Sequence, residues 1–282
     1  MQVMVTPFFD AGTHSYSYVV AEPSSRTCAV IDPVLSYDKA EDRASTGSAD
    51  EIVDFVKAND LIVEWLLETH VHADHLSAAR YLKSRFVCAQ SGIGAGVQAV
   101  RDLIDPSLPE PERLFDRLLE DGDRICLGHA SGRVVETPGH TPACVSYRFE
   151  DVVFVGDTLF MPDYGSARCD FPGGDAATLY RSIQRLLALP EPTKLFMCHD
   201  YAPGGRAHRY LTTVAEQRCH NVHVKQGTSQ AEFVAFRTER DRELTEPALM
   251  DPAVRFNLSA GHCPEVRIEG NPSGASHHFR AA

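Results

Sequence analysis

The chain has 282 residues, of which 43% are hydrophobic and 23% charged, and this ordinary globular composition excludes a disordered, collagen-like or coiled-coil protein. The 27 basic and 39 acidic residues give a formal net charge of −12, so we expect no nucleic-acid partner. No uncharged run reaches the roughly 18 residues of a membrane span, and no signal peptide is visible, so we expect no membrane partner and a cytoplasmic location.

The cysteines do not form a metal-binding or disulfide pattern. All eight are scattered without a C-x-x-C pair, and reduced thiols are the expected state in the absence of a secretory signal. The histidines are more informative, because three of the 13 fall close together at His70, His72 and His75.

The first part of the chain begins with a predicted meander of three strands. β-Branched or aromatic runs at residues 3–9, 16–21 and 28–32 are separated by Gly, Ser and Pro. Ser48 and Glu51 have the spacing of a capping box and predict the start of a helix. A predicted strand at 62–68 leads directly into the histidine cluster, and a predicted helix at 76–85 follows it. The cluster therefore lies on a loop after a strand, where the active sites of α/β proteins collect.

The rest of the chain repeats the order of strands followed by helices. Four strands are predicted at 124–127, 132–136, 144–149 and 152–155, and a fifth at 194–197. Asp175 is a predicted cap for a helix at 176–189, and a capping box at Ser229 and Glu232 predicts a helix that ends near residue 244.

This order predicts an α+β fold in which two mixed β-sheets pack together and are flanked by helices, an αββα sandwich. We expect one catalytic domain over residues 1–210. Residues 211–282 form a C-terminal extension packed on that domain, with the last twenty residues loosely held.

Four loops each follow a predicted strand and carry side chains that can bind a metal. They are H-V-H-A-D-H at 70–75, T-P-G-H-T at 137–141, G-D-T at 156–158 and C-H-D-Y at 198–201. Imidazole and carboxylate groups are the ligands that borderline and hard divalent ions prefer. A lone histidine is more often an ordinary surface or core residue, but four such loops in this order favour a metal centre.

The motifs T-H-V-H-A-D-H, P-G-H-T and G-D-T-L-F resemble those of the metallo-β-lactamase superfamily, over roughly residues 4–201. Two branches of that superfamily come close. One is glyoxalase II, a thioester hydrolase, and the other is the persulfide (sulfur) dioxygenases.

Three details are more similar to the dioxygenases. Val71 stands where glyoxalase II more usually carries a further histidine. The segment G-S-A-R-C-D-F at 165–171 resembles the dioxygenase G-R-x-D-F rather than the G-C-G-R of glyoxalase II. C-H-D-Y at 198–201 resembles the dioxygenase H-D-Y rather than H-E-Y. The C-terminal extension looks like a bacterial subgroup that is sometimes fused to a phosphatase-like or rhodanese domain, and we expect no such fusion here.

The resemblance implies one Fe(II) per chain, held by two histidines and one carboxylate. Carried over by motif, the metal ligands are His70, His140 and Asp157. Such a site leaves positions open for O2, the substrate sulfur and water. The implied substrates are O2 and glutathione persulfide, and the implied products are sulfite and glutathione, in sulfide detoxification. A homodimer and a functional link to a rhodanese-type sulfurtransferase are also implied.

Four further motif residues leave the number of metals open. His72, Asp74, His75 and His199 either support the iron ligands or complete a second metal site, as they do in the dinuclear hydrolases of the superfamily. Zinc is therefore an alternative metal, and it can also replace iron in a recombinant sample. The second hypothesis is a zinc-dependent, glyoxalase II-type hydrolase of glutathione thioesters, against which the C-terminal region shows no obvious long basic helical domain. An inactive metal-binding scaffold is the third.

The candidate substrate-binding residues are Arg168, Tyr201 and Asp170. The Arg168 guanidinium either binds a substrate carboxylate, which the resemblance supports, or forms a salt bridge with Asp170. Tyr201 either places its hydroxyl near the open coordination positions or simply packs. Asp170 orients Arg168 or a metal-binding histidine.

Other motif neighbours are expected to be structural. Cys169 and Cys198 flank the predicted site, and we interpret them as packed small residues rather than a sulfur relay. His129 and the pair at 277–278 are expected to be solvent-exposed, and Asn257 is assigned no role.

Overall fold

The computed structural model describes residues 3–38, 40–41, 43–262 and 266–269, and the elements below lie within those ranges. In chain order the strands are β1 (Met4–Asp10), β2 (Ser15–Glu22), β3 (Thr27–Ile31), β4 (Val34–Asp38), β5 (Arg43–Ser45), β6 (Ile62–Leu67), β7 (Leu76–Ser77), β8 (Gln90–Gly94), β9 (Arg117–Leu119), β10 (Arg124–Leu127), β11 (Ala130–Glu136), β12 (Val145–Phe149), β13 (Val152–Phe154), β14 (Lys194–Phe196), β15 (Leu211–Thr213) and β16 (Arg267–Glu269). The α-helices are α1 (Gly47–Ala58), α2 (Ala79–Arg85), α3 (Val97–Ile104), α4 (Ala176–Leu187), α5 (Val214–His220), α6 (Gln230–Arg242) and α7 (Met250–Leu258).

Two six-stranded sheets form the centre of the fold. The first has the order β1-β2-β3-β6-β8-β9, in which β1, β2 and β3 are the predicted antiparallel meander and the remaining pairs are parallel. The second has the order β10-β11-β12-β13-β14-β15, and its one parallel pair is β13 with β14. Both sheets are therefore mixed, as predicted.

The layers of the molecule follow from which faces are apolar. The largest cluster of buried side chains lies between the two sheets and includes Tyr18 and Leu67 from the first and Tyr147 and Phe154 from the second. Helices α1, α2 and α7 cover the outer face of the first sheet, and α4, α5 and α6 cover the outer face of the second. Each fully buried large apolar side chain stabilises this arrangement by about 1.5–3 kcal/mol. The predicted αββα sandwich is confirmed.

Two of the predicted helix caps are confirmed and one is wrong. Asp175 accepts the backbone N–H of Thr178, and Ser229 forms a complete capping box with Glu232. Ser48, by contrast, lies inside α1, and its hydroxyl donates to Asp10 Oδ2 at 2.7 Å. Because that hydroxyl joins α1 to the end of β1, it is not available to cap the helix.

The helix predicted directly after the histidine cluster begins later than expected. Leu76 and Ser77 form β7, which pairs with β4, and α2 starts only at Ala79. The Ser77 N–H donates to the Asn257 side chain at 2.8 Å, and its hydroxyl donates to Glu68. These tertiary partners hold the segment extended, against its helical pattern.

A third, four-stranded sheet joins the C-terminal region to this segment, in the order β16-β5-β4-β7. Of the last twenty residues, the structure describes only 266–269, where β16 pairs in parallel with β5. Cys263 and the histidines at 277–278 lie outside the described residues. Among the helices that the structure does describe, none is long and apolar enough to cross a membrane.

Candidate metal centre

The loops after β6, β11 and β13 bring together one histidine or aspartate each. The ligand atoms of His70, His140 and Asp157, which we call the triad, lie within 4.8 Å of one another, and all three residues are buried. His70 Nε2 and His140 Nε2 are each 3.9 Å from Asp157 Oδ2. Two atoms that bind one ion at about 2.0–2.2 Å lie within roughly 4.4 Å of each other, so this spacing can accommodate a metal ion.

Glycines allow two of these loops to turn tightly. Gly139, directly before His140, has φ +139°, and a Cβ there would lie 2.3 Å from the backbone nitrogen of Leu179 in α4. Gly156, directly before Asp157, has φ +51°, and its Cβ would lie 2.6 Å from Thr69 Oγ1. Any larger residue would displace a triad loop from its support.

Hydrogen bonds fix which nitrogen of each triad histidine faces the other ligands. His140 Nδ1 is 2.8 Å from the carbonyl oxygen of Arg168, so Nδ1 carries the proton and Nε2 is a free acceptor. His70 Nδ1 is 2.9 Å from the Thr69 hydroxyl, which itself donates to Asp32. His70 therefore also donates through Nδ1. Burial, reinforced by neighbouring histidines, holds the pKa of His70 well below its usual range, which keeps it neutral.

His72 is oriented differently, because its outer nitrogen meets two carboxylates. Its Nε2 lies 3.2 Å from Asp32 Oδ1 and 3.3 Å from Glu68 Oε2, all in the buried interior. Burial alone would lower the pKa of His72, but these carboxylates raise it well above the usual value. Burial raises the pKa of Glu68, whereas the charge of His72 outweighs burial at Asp32 and lowers its pKa. Only Nδ1 of His72 points away from the carboxylates of Asp32 and Glu68.

Next to the triad lies a second group, which we call the quartet: His72, Asp74, His75 and His199. His199 Nε2 is 3.3 Å from Asp74 Oδ2, and His75 Nδ1 is 3.4 Å from the same oxygen. These histidines outweigh the effect of burial and hold the pKa of Asp74 well below its usual range. The quartet thus compensates much of its own charge, and His199 also reaches Asp157 Oδ1 at 3.5 Å.

Buried polar atoms without a hydrogen-bond partner concentrate around these two groups. Within the described part of the chain they include one atom each of Asp157, His72, His75 and His199. Leaving such atoms unsatisfied costs about 1–3 kcal/mol each, and a bound cation would satisfy them. Nitrogen and carboxylate donors suit zinc, iron and related divalent ions, so these residues fit a metal without fixing its identity.

A cleft of about 630 Å³ opens beside the triad and is lined by both His140 and Asp157. Its walls also carry aromatic and cationic side chains: Phe160, Tyr164, Tyr201, Arg168, Arg237 and Arg240. The cleft is large enough for a small organic molecule, and it gives such a molecule direct access to His140 and Asp157.

The three candidate substrate-binding residues all lie at this cleft or beside it. The Arg168 guanidinium is engaged by Asp170, with Nε–Oδ1 and Nη2–Oδ2 both at 2.5 Å, and it donates to the Thr245 carbonyl at 2.7 Å. Asp170 thus orients Arg168, and no hydrogen bond of Asp170 to a histidine occurs among the described residues. The Tyr201 ring stacks on His199 at 5.7 Å, and its hydroxyl stays protonated because burial raises its pKa.

Comparison with known proteins decides the family. The family model for the metallo-beta-lactamase superfamily matches residues 11–199, which is more than half of the chain and includes every residue of the triad and the quartet. The chain belongs to the metallo-β-lactamase superfamily. Its fold and its grouped histidines and aspartates are those of a metallo-enzyme superfamily, as the sequence motifs imply.

Individual members of the superfamily are similar over almost the whole chain. A probable metallo-hydrolase of Burkholderia pseudomallei is 49% identical over 94% of this chain and 96% of its own length. Glyoxylase B2 of Dictyostelium discoideum is 45% identical over 89% of each protein. The mitochondrial persulfide dioxygenase ETHE1 of Bos taurus is 30% identical over 92% of this chain and 89% of its own. The crystal structure of ETHE1 from Myxococcus xanthus has a TM-score of 0.75 at 31% identity, covering 92% of this chain and all of that one.

Within this superfamily fold, Asn257, which has no role assigned from the sequence, is a neighbour of the site. Its Nδ2 donates to the carbonyl oxygens of His72 and His75, both at 2.8 Å. Its Oδ1 accepts the N–H of Ser77, so one buried amide fastens the loop that carries the quartet. One feature of the sequence could have indicated this role: the polar Asn257 stands between the apolar residues Phe256 and Leu258, on the buried face of α7.

The C-terminal region also supplies a helix to the cleft, α6, in which three arginines are balanced by Glu232, Glu239 and Asp241. α6 has 13 residues and brings Arg237 and Arg240 to the cleft wall. Cys169 and Cys198 are buried free thiols, and His129 is exposed, as expected.

Proposed function

We propose that this protein is an Fe(II)-dependent persulfide dioxygenase that oxidises glutathione persulfide. In the overall reaction, glutathione persulfide, O2 and water give glutathione, sulfite and two protons. The iron, when bound, supplies the redox chemistry that joins O2 to the terminal sulfur. A rhodanese-type sulfurtransferase is the class of partner that handles the same persulfide.

The observation that carries this proposal is the geometry of the triad. His70 and His140 both present an unprotonated Nε2 toward one carboxylate oxygen of Asp157, and neither ring uses its metal-facing nitrogen elsewhere. Two histidines and one carboxylate are the donor set of non-haem Fe(II) oxygenases, which need open positions for both O2 and substrate. The similarity to the persulfide dioxygenase ETHE1 and to the ETHE1 crystal structure supports the same assignment.

Residues around the triad have roles that do not depend on the metal. The aromatic side chains of Phe160, Tyr164 and Tyr201 pack together at the cleft, with ring centroids 4.7–6.0 Å apart, and form one of its walls. The protonated Tyr201 hydroxyl remains a hydrogen-bond donor. Arg168 and Arg240 supply positive charge for the carboxylates of a glutathione-based substrate.

The quartet favours a second candidate function, a zinc-dependent hydrolase of glutathione thioesters. His72 Nδ1, His75 Nε2 and His199 Nε2 have no hydrogen-bond partner, and they lie close to Asp74 and Asp157. Two adjacent metal ions would generate a hydroxide nucleophile. The names of two relatives, a probable metallo-hydrolase and glyoxylase B2, support this alternative.

Oxygen uptake distinguishes the two candidates. Protein purified without oxygen and loaded with Fe(II) should consume O2 when given glutathione persulfide, with one sulfite formed for each O2. The His140→Ala protein, treated identically, should consume none. An absence of uptake together with hydrolysis of S-lactoylglutathione by the same sample would replace the dioxygenase proposal with the hydrolase.

A further inference from the structure

The peptide group that joins Arg168 to Cys169 is held from both sides. Its carbonyl oxygen accepts the Nδ1–H of His140 at 2.8 Å. Its N–H, on the opposite edge of the same peptide plane, donates to Asp241 Oδ2 at 2.9 Å. A carboxylate of α6 and a triad histidine are therefore separated by one peptide group and two hydrogen bonds.

Asp241 is itself held firmly in place. Its Oδ1 accepts from Arg237 Nε at 2.8 Å and forms an ion pair with Arg237 Nη2 at 2.6 Å. The two side chains are 8% and 3% exposed, so neither charge is satisfied by solvent. Arg237 Nη1 also donates to the carbonyl of Ser166 at 3.3 Å, which joins the pair to the same loop a second time.

Electrostatics gives this arrangement an effect on the metal-facing nitrogen. An amide whose N–H is bonded to a carboxylate is polarised, and its carbonyl oxygen becomes a stronger acceptor. A metal-binding histidine that donates to a stronger acceptor is a more basic ligand, and its tautomer and ring orientation are fixed. The charge of Asp241 therefore acts on His140 Nε2 through the peptide of Arg168 and Cys169.

We infer that Asp241 is a positioning residue for His140, acting through this peptide group and held in place by Arg237. The inference rests on the proposed metal centre. The ion pair between Arg168 and Asp170 does not have this role, because it uses the Arg168 side chain, whereas His140 bonds to the Arg168 backbone.

The test compares Asp241→Asn with Glu239→Gln, a change on the exposed side of the same helix. Both proteins are loaded with Zn(II), and the release of zinc to an excess of chelator is followed together with the ¹⁵N–¹H resonance of His140 Nδ1–H. Asp241→Asn should release zinc about tenfold faster than the wild type, and the His140 N–H resonance should move upfield as its hydrogen bond weakens. Glu239→Gln should match the wild type in both measurements.

Asp241→Asn also leaves the Arg237 guanidinium without its partner, so loss of folding must be separated from loss of positioning. The double variant Arg237→Gln/Asp241→Asn removes both charges and should regain the thermal stability of the metal-free protein while keeping fast zinc release. Asp241→Glu, which restores a carboxylate, should recover slow release at least in part. These two variants decide the question even if Asp241→Asn does not fold.

Two results would overturn the inference. One is wild-type zinc release and an unmoved His140 resonance in the double variant. The other is recovery of slow zinc release in the double variant along with stability, because the effect would then be purely structural. If His140→Ala retains zinc like the wild type, the proposed metal centre fails instead, which is a separate outcome.

Discussion

The triad and the quartet are built from the same residue types, but their outer hydrogen bonds differ. In the triad, His70 and His140 donate to neutral oxygens, the Thr69 hydroxyl and the Arg168 carbonyl. In the quartet, His75 and His199 already lie at ion-pair distance from Asp74. The triad histidines are thus held by neutral acceptors, whereas His72 of the quartet is held by the carboxylates of Asp32 and Glu68. Residue type alone does not determine a metal site, because the acceptor behind each imidazole determines what its inner nitrogen can bind.

The largest expected effect is loss of the metal from the triad. His140→Ala should retain less than about one tenth of the iron bound by the wild type, because a direct ligand is removed. His75→Asn in the quartet should retain about one equivalent. Metal content after anaerobic gel filtration measures both. If the wild type binds two equivalents of metal and His75→Asn loses one of them, both groups bind metal, and the difference between triad and quartet disappears.

The next largest expected effect is on the free energy of unfolding, through Asn257, which holds the quartet loop. Asn257→Ala should lower the free energy of unfolding by about 2–4 kcal/mol, because the carbonyls of His72 and His75 lose a buried donor. Urea unfolding of the metal-free protein measures it. The matched change is Asn59→Ala, which removes an exposed side-chain hydrogen bond at the end of α1 and should cost about 0.5 kcal/mol. Equal costs for the two variants would mean that the quartet loop does not depend on Asn257.

A smaller effect is expected on KM, and it should distinguish substrate binding from metal binding by the triad. Arg168→Ala keeps the backbone carbonyl that orients His140, so metal content should not change, while KM for a glutathione-based substrate should rise about tenfold. Asp170→Asn weakens the ion pair that now occupies the guanidinium, and KM should stay level or fall. An unchanged KM in Arg168→Ala would remove this residue from the substrate site.

The smallest expected effect concerns the loop that carries the Arg168 carbonyl. Burial, with the charges of Arg237 and Arg240, lowers the pKa of His223 to about 4, and its Nδ1 accepts the N–H of Ser166 at 3.0 Å. The unfolded chain takes up this proton near pH 6.5, before the folded protein does. His223 should therefore cost about 1–2 kcal/mol of stability as pH falls from 6.5 to 4, allowing for its partial exposure.

The measurement is the difference in unfolding free energy between pH 6.5 and pH 4.5 for the metal-free wild type and for His223→Gln. The glutamine can still accept from Ser166 but does not titrate, so its stability should fall less. Identical losses in the two proteins would mean that His223 is not held neutral by this loop.

The sequence predicts the sandwich well, and it places each triad residue on a loop after a strand, both for local reasons. Runs of β-branched and aromatic residues specify the strands, and Gly139 and Gly156 allow the tight turns that carry His140 and Asp157. The same reasoning misses α3 and the short strands β4 and β5, whose patterns are too brief to separate from loops.

The predictions that failed or were missed depend on contacts distant in the chain. The capping interpretation of Ser48 failed because its hydroxyl bonds to Asp10, 38 residues away. The role of Asn257 was missed because its partners lie more than 180 residues earlier. Local spacing carries no information about such partners.

The contact of Asn257 with the quartet loop also fixes an order of events during synthesis. The ribosome completes the loop at His72 to His75 long before it adds Asn257. Until that amide is present, the carbonyls of the loop lack their donor, although the strands on either side can already form. The histidine loop therefore reaches the shape seen here only after Asn257 has been added to the chain.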